Sequence, residues 1–265
     1  MIYNRNRRPW LFYDWIYKLT SNGRKHDKYL RILHGFTDMV IRQRKEELRN
    51  RQNSRSNDEN DIGKKRRVAF LDLLLTTSEK DPSLTDKEIR AEVDTFMFEG
   101  HDTTAMSINW TLYFLSVHQD IQSRCVEELE EIFNGSTDRD PNITDLGNMK
   151  YLERVIKESL RLRPPVRYIG RKVHTNIKFG EKWHSRRKLL TPAFHFSILD
   201  QFLPIFCDKT RILVEKLQAA ASTNPDGFDI VPYITRCTLD LICETAMGHS
   251  IDAQGERNST YISNV

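Results

Sequence analysis

The sequence has few cysteines and no long apolar run. Its four cysteines form no C-x-x-C pair and no spacing typical of a disulfide framework, so we expect reduced thiols in a protein that faces the cytosol. No stretch approaches the roughly 18 consecutive apolar residues that a membrane-crossing helix needs. The basic segment 1–8 lacks the apolar core of a secretion signal. We therefore expect neither a secreted disulfide scaffold nor a membrane anchor within this sequence.

Several catalytic signatures are also missing. The sequence has no Walker loop, no dinucleotide-binding glycine fingerprint and no serine nucleophile elbow, and its eight histidines show no H-E-x-x-H spacing for zinc. The net charge is only +4, with the basic excess concentrated in a predicted loop at 51–67, so we expect no nucleic-acid partner. The aromatic segment 9–17 allows two interpretations: burial in the core, which we favour, or contact with a membrane interface.

Helical periodicity dominates what is present. Thr85 and Glu88 form a capping box that opens a helix ending near residue 118, and the helix after it stops at Asn134. Residues 166–179 are strand-like, with β-branched and aromatic side chains. The fold class is therefore mainly α with little β. Apolar residues recur at helical spacing over seven further segments: 28–50, 68–77, 119–133, 149–162, 180–190, 196–221 and 231–247.

The helix that Thr85 opens contains the sequence F-E-G-H-D-T-T at 98–104. A glycine inside a helix costs roughly 1 kcal/mol relative to alanine, and threonine hydroxyls compete for backbone carbonyls. Gly100 leaves room for a flat group to approach, and Asp102 and Thr103 can pass protons. The alternative is a kinked core helix with satisfied hydroxyls, and the motif alone does not decide between the two.

Two weaker patterns follow along the chain. Glu158 and Arg161 lie three residues apart on one helix, which by itself is an ordinary surface pair. Trp183 and Arg187 lie four apart on a short basic helix, where an indole beside a guanidinium suits a carboxylate ligand. A solvated basic face over a buried tryptophan is the commoner explanation of the second pattern by itself.

Together the three patterns resemble the cytochrome P450 superfamily. The resemblance rests on F-E-G-H-D-T-T at 98–104, K-E-S-L-R-L-x-P at 157–164 and W-H-S-R-R-K-L-L-T-P-A-F at 183–194. It covers nearly the whole chain and is closest to family 4, the fatty-acid ω-hydroxylase branch that occurs also in insects. A partial P450-like helical fold is the expectation.

The resemblance implies a haem-dependent monooxygenase. Asp102 and Thr103 match the acid–alcohol pair that delivers protons during dioxygen activation, and Glu99 matches a glutamate that can become ester-linked to a haem methyl. The implied substrates are fatty acids or other lipophiles, the implied electron donor is an NADPH–cytochrome reductase, and the implied location is the cytosolic face of the endoplasmic reticulum membrane. The other implied site residues are Gly100, Trp183 and Arg187 for binding haem, and Glu158 and Arg161 as a buried structural pair.

The sequence departs from that family in two ways. The pattern at 183–194 should precede the one at 98–104, so we interpret 1–175 as the oxygen-activation and E-x-x-R block and 176–265 as an earlier region of the same domain, in permuted order. No cysteine has the phenylalanine- and glycine-bearing surroundings of the axial ligand, so we expect no metal ligand, and neither the N-terminal anchor nor the haem–cysteine loop.

We therefore expect this chain to be inactive by itself, with weak or indirect membrane association. Two alternatives stay open. One is a non-enzymatic helical fragment that binds a lipid or pairs with a homologue. The other is a mis-joined product of neighbouring gene copies.

Overall fold

The computed structural model describes residues 8–55, 69–81, 84–135, 139–170, 187, 188, 191 and 199–255. Within them lie nine α-helices of six residues or more, and short 3-10 turns at Pro9–Phe12 and Asp200–Phe202. The mainly α prediction is confirmed. The helices are α1 (Asp14–Leu19), α2 (Ser21–Arg55), α3 (Phe70–Ser78), α4 (Asp86–Val117), α5 (Gln119–Phe133), α6 (Ile143–Asn148), α7 (Lys150–Leu162), α8 (Leu203–Thr223) and α9 (Val231–Thr245).

The helix ends follow local sequence signals. At the start of α4, Thr85 Oγ1 accepts a hydrogen bond from the Glu88 backbone N–H at 3.3 Å, and Glu88 Oε2 accepts one from the Thr85 N–H at 3.0 Å, as the capping box predicts. Helix α5 ends at Asn134, whose φ of 51° is left-handed. A second capping box, between Asn142 and Asp145, opens α6, which the sequence interpretation did not identify.

Two stretches differ from their predictions. Residues 166–170, the described part of the strand-like segment, form no strand, while 171–179 lie outside the described residues. Helix α2 continues to residue 55, so the predicted loop does not begin at 51. The predicted helix at 180–190 lies outside the described residues except for 187 and 188, which are helical.

The aromatic segment near the start of the chain is mostly exposed. Leu11 and Tyr17 are buried, but Trp15 is 67% exposed, so the expectation of burial in the core is wrong for most of this segment. The reason is that α1 has only six residues and packs one narrow face on α2. The other exposed aromatic side chains are Trp10, Phe12 and Tyr13. No helix in the described part of the chain has the length and apolar character to cross a membrane.

One hydrophobic core forms where α2, α3, the first half of α4 and α9 meet. Helix α9 comes from the 176–265 segment and the other three helices come from 1–175, so side chains from both segments share this core. Burial of such side chains contributes roughly 1.5–3 kcal/mol each. Its most deeply buried members are Val40, Leu71, Leu74, Ile89, Val93, Met97, Leu239, Cys243, Met247 and Ala253.

A buried ion pair joins α2 to α3 beside this core. Arg44 Nε and Nη2 donate to the two carboxylate oxygens of Asp72 at 2.6 and 2.9 Å. Arg44 Nη1 also donates to Glu47 at 2.6 Å and to the Gly248 carbonyl at 3.1 Å, just after α9. The Arg44 guanidinium therefore links α2, α3 and the segment after α9.

Candidate functional site

The F-E-G-H-D-T-T motif lies in the middle of α4, and the helix passes through it without a break. Thr103 Oγ1 donates a hydrogen bond to the Glu99 carbonyl oxygen one turn earlier, at 2.6 Å. Asp102 and Thr103 are half-buried and Glu99 is exposed. Because Glu99 and Thr103 are four residues apart, they lie on the same face of the helix. We call the face of Glu99, Asp102 and Thr103 the acid–alcohol face.

The opposite side of the motif packs against α9. A Cβ atom added to Gly100 would lie 2.8 Å from both Cγ1 and Cδ1 of Ile242, so this glycine permits the close approach of α9. Thr238 Oγ1 donates to the His101 carbonyl oxygen at 3.0 Å. The neighbour that occupies the space beside Gly100 in this structure is therefore an aliphatic side chain of α9.

His101 is the buried side chain of the motif. Its Nδ1–H donates to the Met97 carbonyl oxygen at 2.6 Å, which holds the ring along its own helix. The sequence interpretation assigned no role to His101, nor to Thr238 and Ile242. The only signal for the last two is their spacing of four residues, which places them on one face of α9 but does not say which helix that face meets.

The E-x-x-R pair forms but is exposed. Arg161 Nε and Nη2 donate to the carboxylate of Glu158 at 2.7 and 2.6 Å, and these hydrogen bonds lower the pKa of Glu158. The Glu158 side chain is 55% exposed and the Arg161 side chain 68% exposed, unlike the buried pair that the resemblance implies. The reason is that none of the described helices covers this face of α7.

The E-x-x-R pair also lies away from the motif. Glu158 shares a cavity of about 370 Å³ with Leu115 near the end of α4. At 1.5 Å per residue, Leu115 is roughly 18 Å along the helix axis from Thr103. The structure therefore does not bring Glu158 and Arg161 into contact with Asp102 and Thr103.

Of the last predicted pair, only Arg187 lies within the described residues. Its side chain is exposed, and its carbonyl oxygen accepts a hydrogen bond from Thr191 Oγ1 at 2.7 Å. Trp183 lies outside the described residues, so its distance from Arg187 stays a prediction.

Comparison with known proteins identifies the family to which these motifs belong. A model of the cytochrome P450 family matches the chain twice, over residues 1–182 and 178–265. The chain belongs to the cytochrome P450 family. Cytochrome P450 4c21 of Blattella germanica is 48% identical over 177 residues, which are 67% of this chain and 35% of that protein.

Other relatives also carry family 4 names. Cytochrome P450 4c3 of Drosophila melanogaster is 44% identical over 189 residues, 69% of this P450 chain and 35% of the relative. Cytochrome P450 4V2 of Homo sapiens is 45% identical over 175 residues, 65% of this chain and 33% of the relative. The resemblance to family 4 is thereby confirmed, and the chain spans about a third of the length of the curated relatives it matches.

Haem is the cofactor of the cytochrome P450 family, and its iron requires a cysteine thiolate. All four cysteines of this P450 chain are free thiols within described helices, and burial raises the pKa of each. The pKa of Cys237 rises to about 11, and its Sγ donates to the Lys209 carbonyl oxygen at 3.7 Å. Cys125, Cys237 and Cys243 are buried, and none of the four cysteines has the phenylalanine- and glycine-bearing surroundings of the family's axial ligand, so none of them matches that ligand.

The acid–alcohol face is a better match to a haem site than the cysteines are. Glu99, Asp102 and Thr103 present a carboxylate, a second carboxylate and a hydroxyl on the acid–alcohol face, and no described residue forms a hydrogen bond or ion pair with either carboxylate. The described residues also contain no group of three side chains that could hold a metal ion. The acid–alcohol face thus carries groups that suit one wall of a haem site, whereas no cysteine of the sequence matches the family's axial ligand.

Proposed function

We propose that α4 forms the oxygen-side wall of the haem site of a monooxygenase, with Asp102 and Thr103 holding and transferring protons. The supporting observation is that both side chains are half-buried on an unbroken helix, one turn from the exposed Glu99. Haem, when bound, supplies the redox chemistry that activates dioxygen. The Asp102 carboxylate can accept a proton and release it to a neighbouring group. Thr103 Oγ1 donates its own hydrogen to the Glu99 carbonyl and keeps lone pairs to accept another.

The rest of the proposal follows from the family. Glu99 is proposed to meet the haem edge, and Trp183 and Arg187 to bind a propionate. The space beside Gly100, which the resemblance assigns to haem, is filled by Ile242 in this structure. We propose fatty acids or other lipophiles as substrates, an NADPH–cytochrome reductase as electron donor, and the cytosolic face of the endoplasmic reticulum membrane as the location. The support is the identity of 43–48% to family 4 relatives. The two family matches overlap at 178–182, which supports a junction between two blocks, and we propose their permuted order from the order of the motifs along the chain.

By itself, this chain is proposed not to catalyse monooxygenation, because none of its cysteines has the phenylalanine- and glycine-bearing surroundings of the family's axial ligand. We expect that purified chain mixed with haem, reduced and exposed to carbon monoxide, gives no thiolate-type Soret band in the difference spectrum. The Blattella germanica relative, treated in parallel, is the positive control. A thiolate-type band from this chain would contradict the proposal, and its loss in Cys207→Ser would identify the least buried cysteine as the ligand.

The role of the acid–alcohol face is tested in a complete enzyme. Residues 84–117 replace the matching segment of cytochrome P450 4c21, and hydroxylation of dodecanoate is measured with the reductase and NADPH. In this chimera we expect Thr103→Val to lower product formation about 100-fold, the scale of a positioned proton donor. The reduced carbon-monoxide spectrum should stay unchanged, because the substitution leaves haem bound.

Thr95→Val is the matched control for that experiment. Thr95 Oγ1 also donates to the carbonyl four residues earlier, that of Ala91, at 2.8 Å, but Thr95 lies two turns before Thr103. We expect it to leave product formation within about twofold of the parent chimera, since surface changes away from a site have small effects. Equal losses in the two variants would show that Thr103 only supports the helix.

A further inference from the structure

A cavity of about 600 Å³ lies between α6 and α8, apart from the acid–alcohol face. Its wall is largely aliphatic and aromatic, and several of these side chains are exposed to solvent. The volume lies within the range of roughly 300–1,000 Å³ that is typical of small-molecule sites. The apolar side chains of the wall are Pro141, Ile143, Leu146, Leu199, Leu203, Phe206 and Val214.

The rim of the cavity carries a net negative charge. Arg211 Nη2 donates to both carboxylate oxygens of Asp140, at 2.9 and 3.1 Å, and Nη1 donates to Asp208 at 3.1 Å. Asp140 and Asp200 both line the cavity against the single lining guanidinium of Arg211, which is already paired with Asp140 and Asp208. The pKa of Cys207 in the wall is raised, first by burial and then by Asp140, while Arg211 lowers it.

We propose that this cavity binds a lipophilic cation, such as an alkylammonium, with its apolar part between α6 and α8 and its charged end at Asp200. An apolar cavity by itself can bind any lipophile, so the charge of the rim determines which class of lipophile binds. An anionic lipophile finds Arg211 already paired with two carboxylates and meets the repulsion of the third. A cation gains attraction from the excess carboxylate. None of the residues involved belongs to the acid–alcohol face, so the proposal is independent of the one for α4.

The test is a titration of the purified chain with three ligands of equal chain length: decylammonium, decanol and decanoate. Isothermal titration calorimetry is carried out below the aggregation concentration of each ligand. We expect decylammonium to bind at one site per chain and about 10-fold more tightly than decanoate, with decanol between them. The ratio should fall as salt is added, because salt screens the rim charges. Equal binding of decanoate and decylammonium would overturn the proposal.

Two variants, each with a matched control, locate the site. Val214→Trp fills the cavity from α8 and should abolish binding of all three ligands, whereas Val117→Trp, at an exposed valine that ends α4, should leave binding intact.

Asp200→Asn preserves the shape of the rim. It should weaken the affinity for decylammonium about fivefold without changing the affinity for decanol. Asp226→Asn, in the exposed turn after α8, is the matched control and should change neither. Unchanged decylammonium affinity in Asp200→Asn would show that the rim charge does not select the ligand.

Discussion

Asp72→Ala should lower the free energy of unfolding by about 3–5 kcal/mol, the usual cost of leaving one member of a buried ion pair without its partner. Arg44 is 8% exposed and donates two hydrogen bonds to Asp72, which is the first cause of its raised pKa. Without that carboxylate, the guanidinium stays charged among α2, α3 and the segment after α9. Urea denaturation followed by circular dichroism at 222 nm, a wavelength that reports helix content, measures the change.

Glu47→Ala is the control for this prediction. Glu47 also accepts a hydrogen bond from Arg44, at 2.6 Å, but its side chain is 44% exposed, so water replaces it at little cost. We expect a loss below about 1 kcal/mol, as for other partly exposed pairs. Similar losses in Asp72→Ala and Glu47→Ala would contradict the buried character of the Arg44–Asp72 pair.

Gly100→Leu should lower the free energy of unfolding by about 2–3 kcal/mol, because it forces extra atoms into the packed contact between α4 and α9. The first added atom, Cβ, already falls 2.8 Å from the Ile242 side chain. The loss is expected even though leucine favours a helix over glycine by roughly 0.5–1 kcal/mol. Thermal or urea unfolding of the purified variant provides the measurement.

The same substitution elsewhere separates packing from helix propensity. Gly35 lies on an exposed part of α2, where an added Cβ meets nothing within 4 Å, so Gly35→Leu should stabilise the chain by about 0.5–1 kcal/mol. Combining Gly100→Leu with Ile242→Ala should recover part of the loss, because the double variant removes the atoms that clash. Destabilisation by Gly35→Leu, or no recovery in the double variant, would mean that Ile242 is not the cause.

Features determined by neighbours in sequence were predictable. The capping box at Thr85 and the left-handed end at Asn134 depend on a few adjacent residues, so their positions agree with the sequence interpretation. The placement of Asp102 and Thr103 one turn after Glu99 also follows directly from helical geometry. The family was predictable too, because its three motifs are short and local.

Features determined by packing across the chain were not predictable. No sequence pattern tells which helix approaches Gly100, and Ile242 lies far along the chain on α9. The segment 9–17 near the start of the chain has the composition of a core segment. Only Leu11, in the 3-10 turn, and Tyr17, in the short α1, are buried. The exposure of Glu158 and Arg161 likewise depends on what covers α7, which their three-residue spacing cannot report.

The position of α9 also affects how the chain folds during synthesis. The apolar face of α4, with Ile89, Val93 and Met97, leaves the ribosome well before the α9 side chains that cover it. Until Leu239 and its neighbours emerge, that face has only α2 and α3 as partners and exposes aggregation-prone surface. Contacts so distant in sequence also slow folding relative to a bundle of sequential hairpins. The nascent chain is therefore expected to depend on chaperone protection over this interval more than its high helix content suggests.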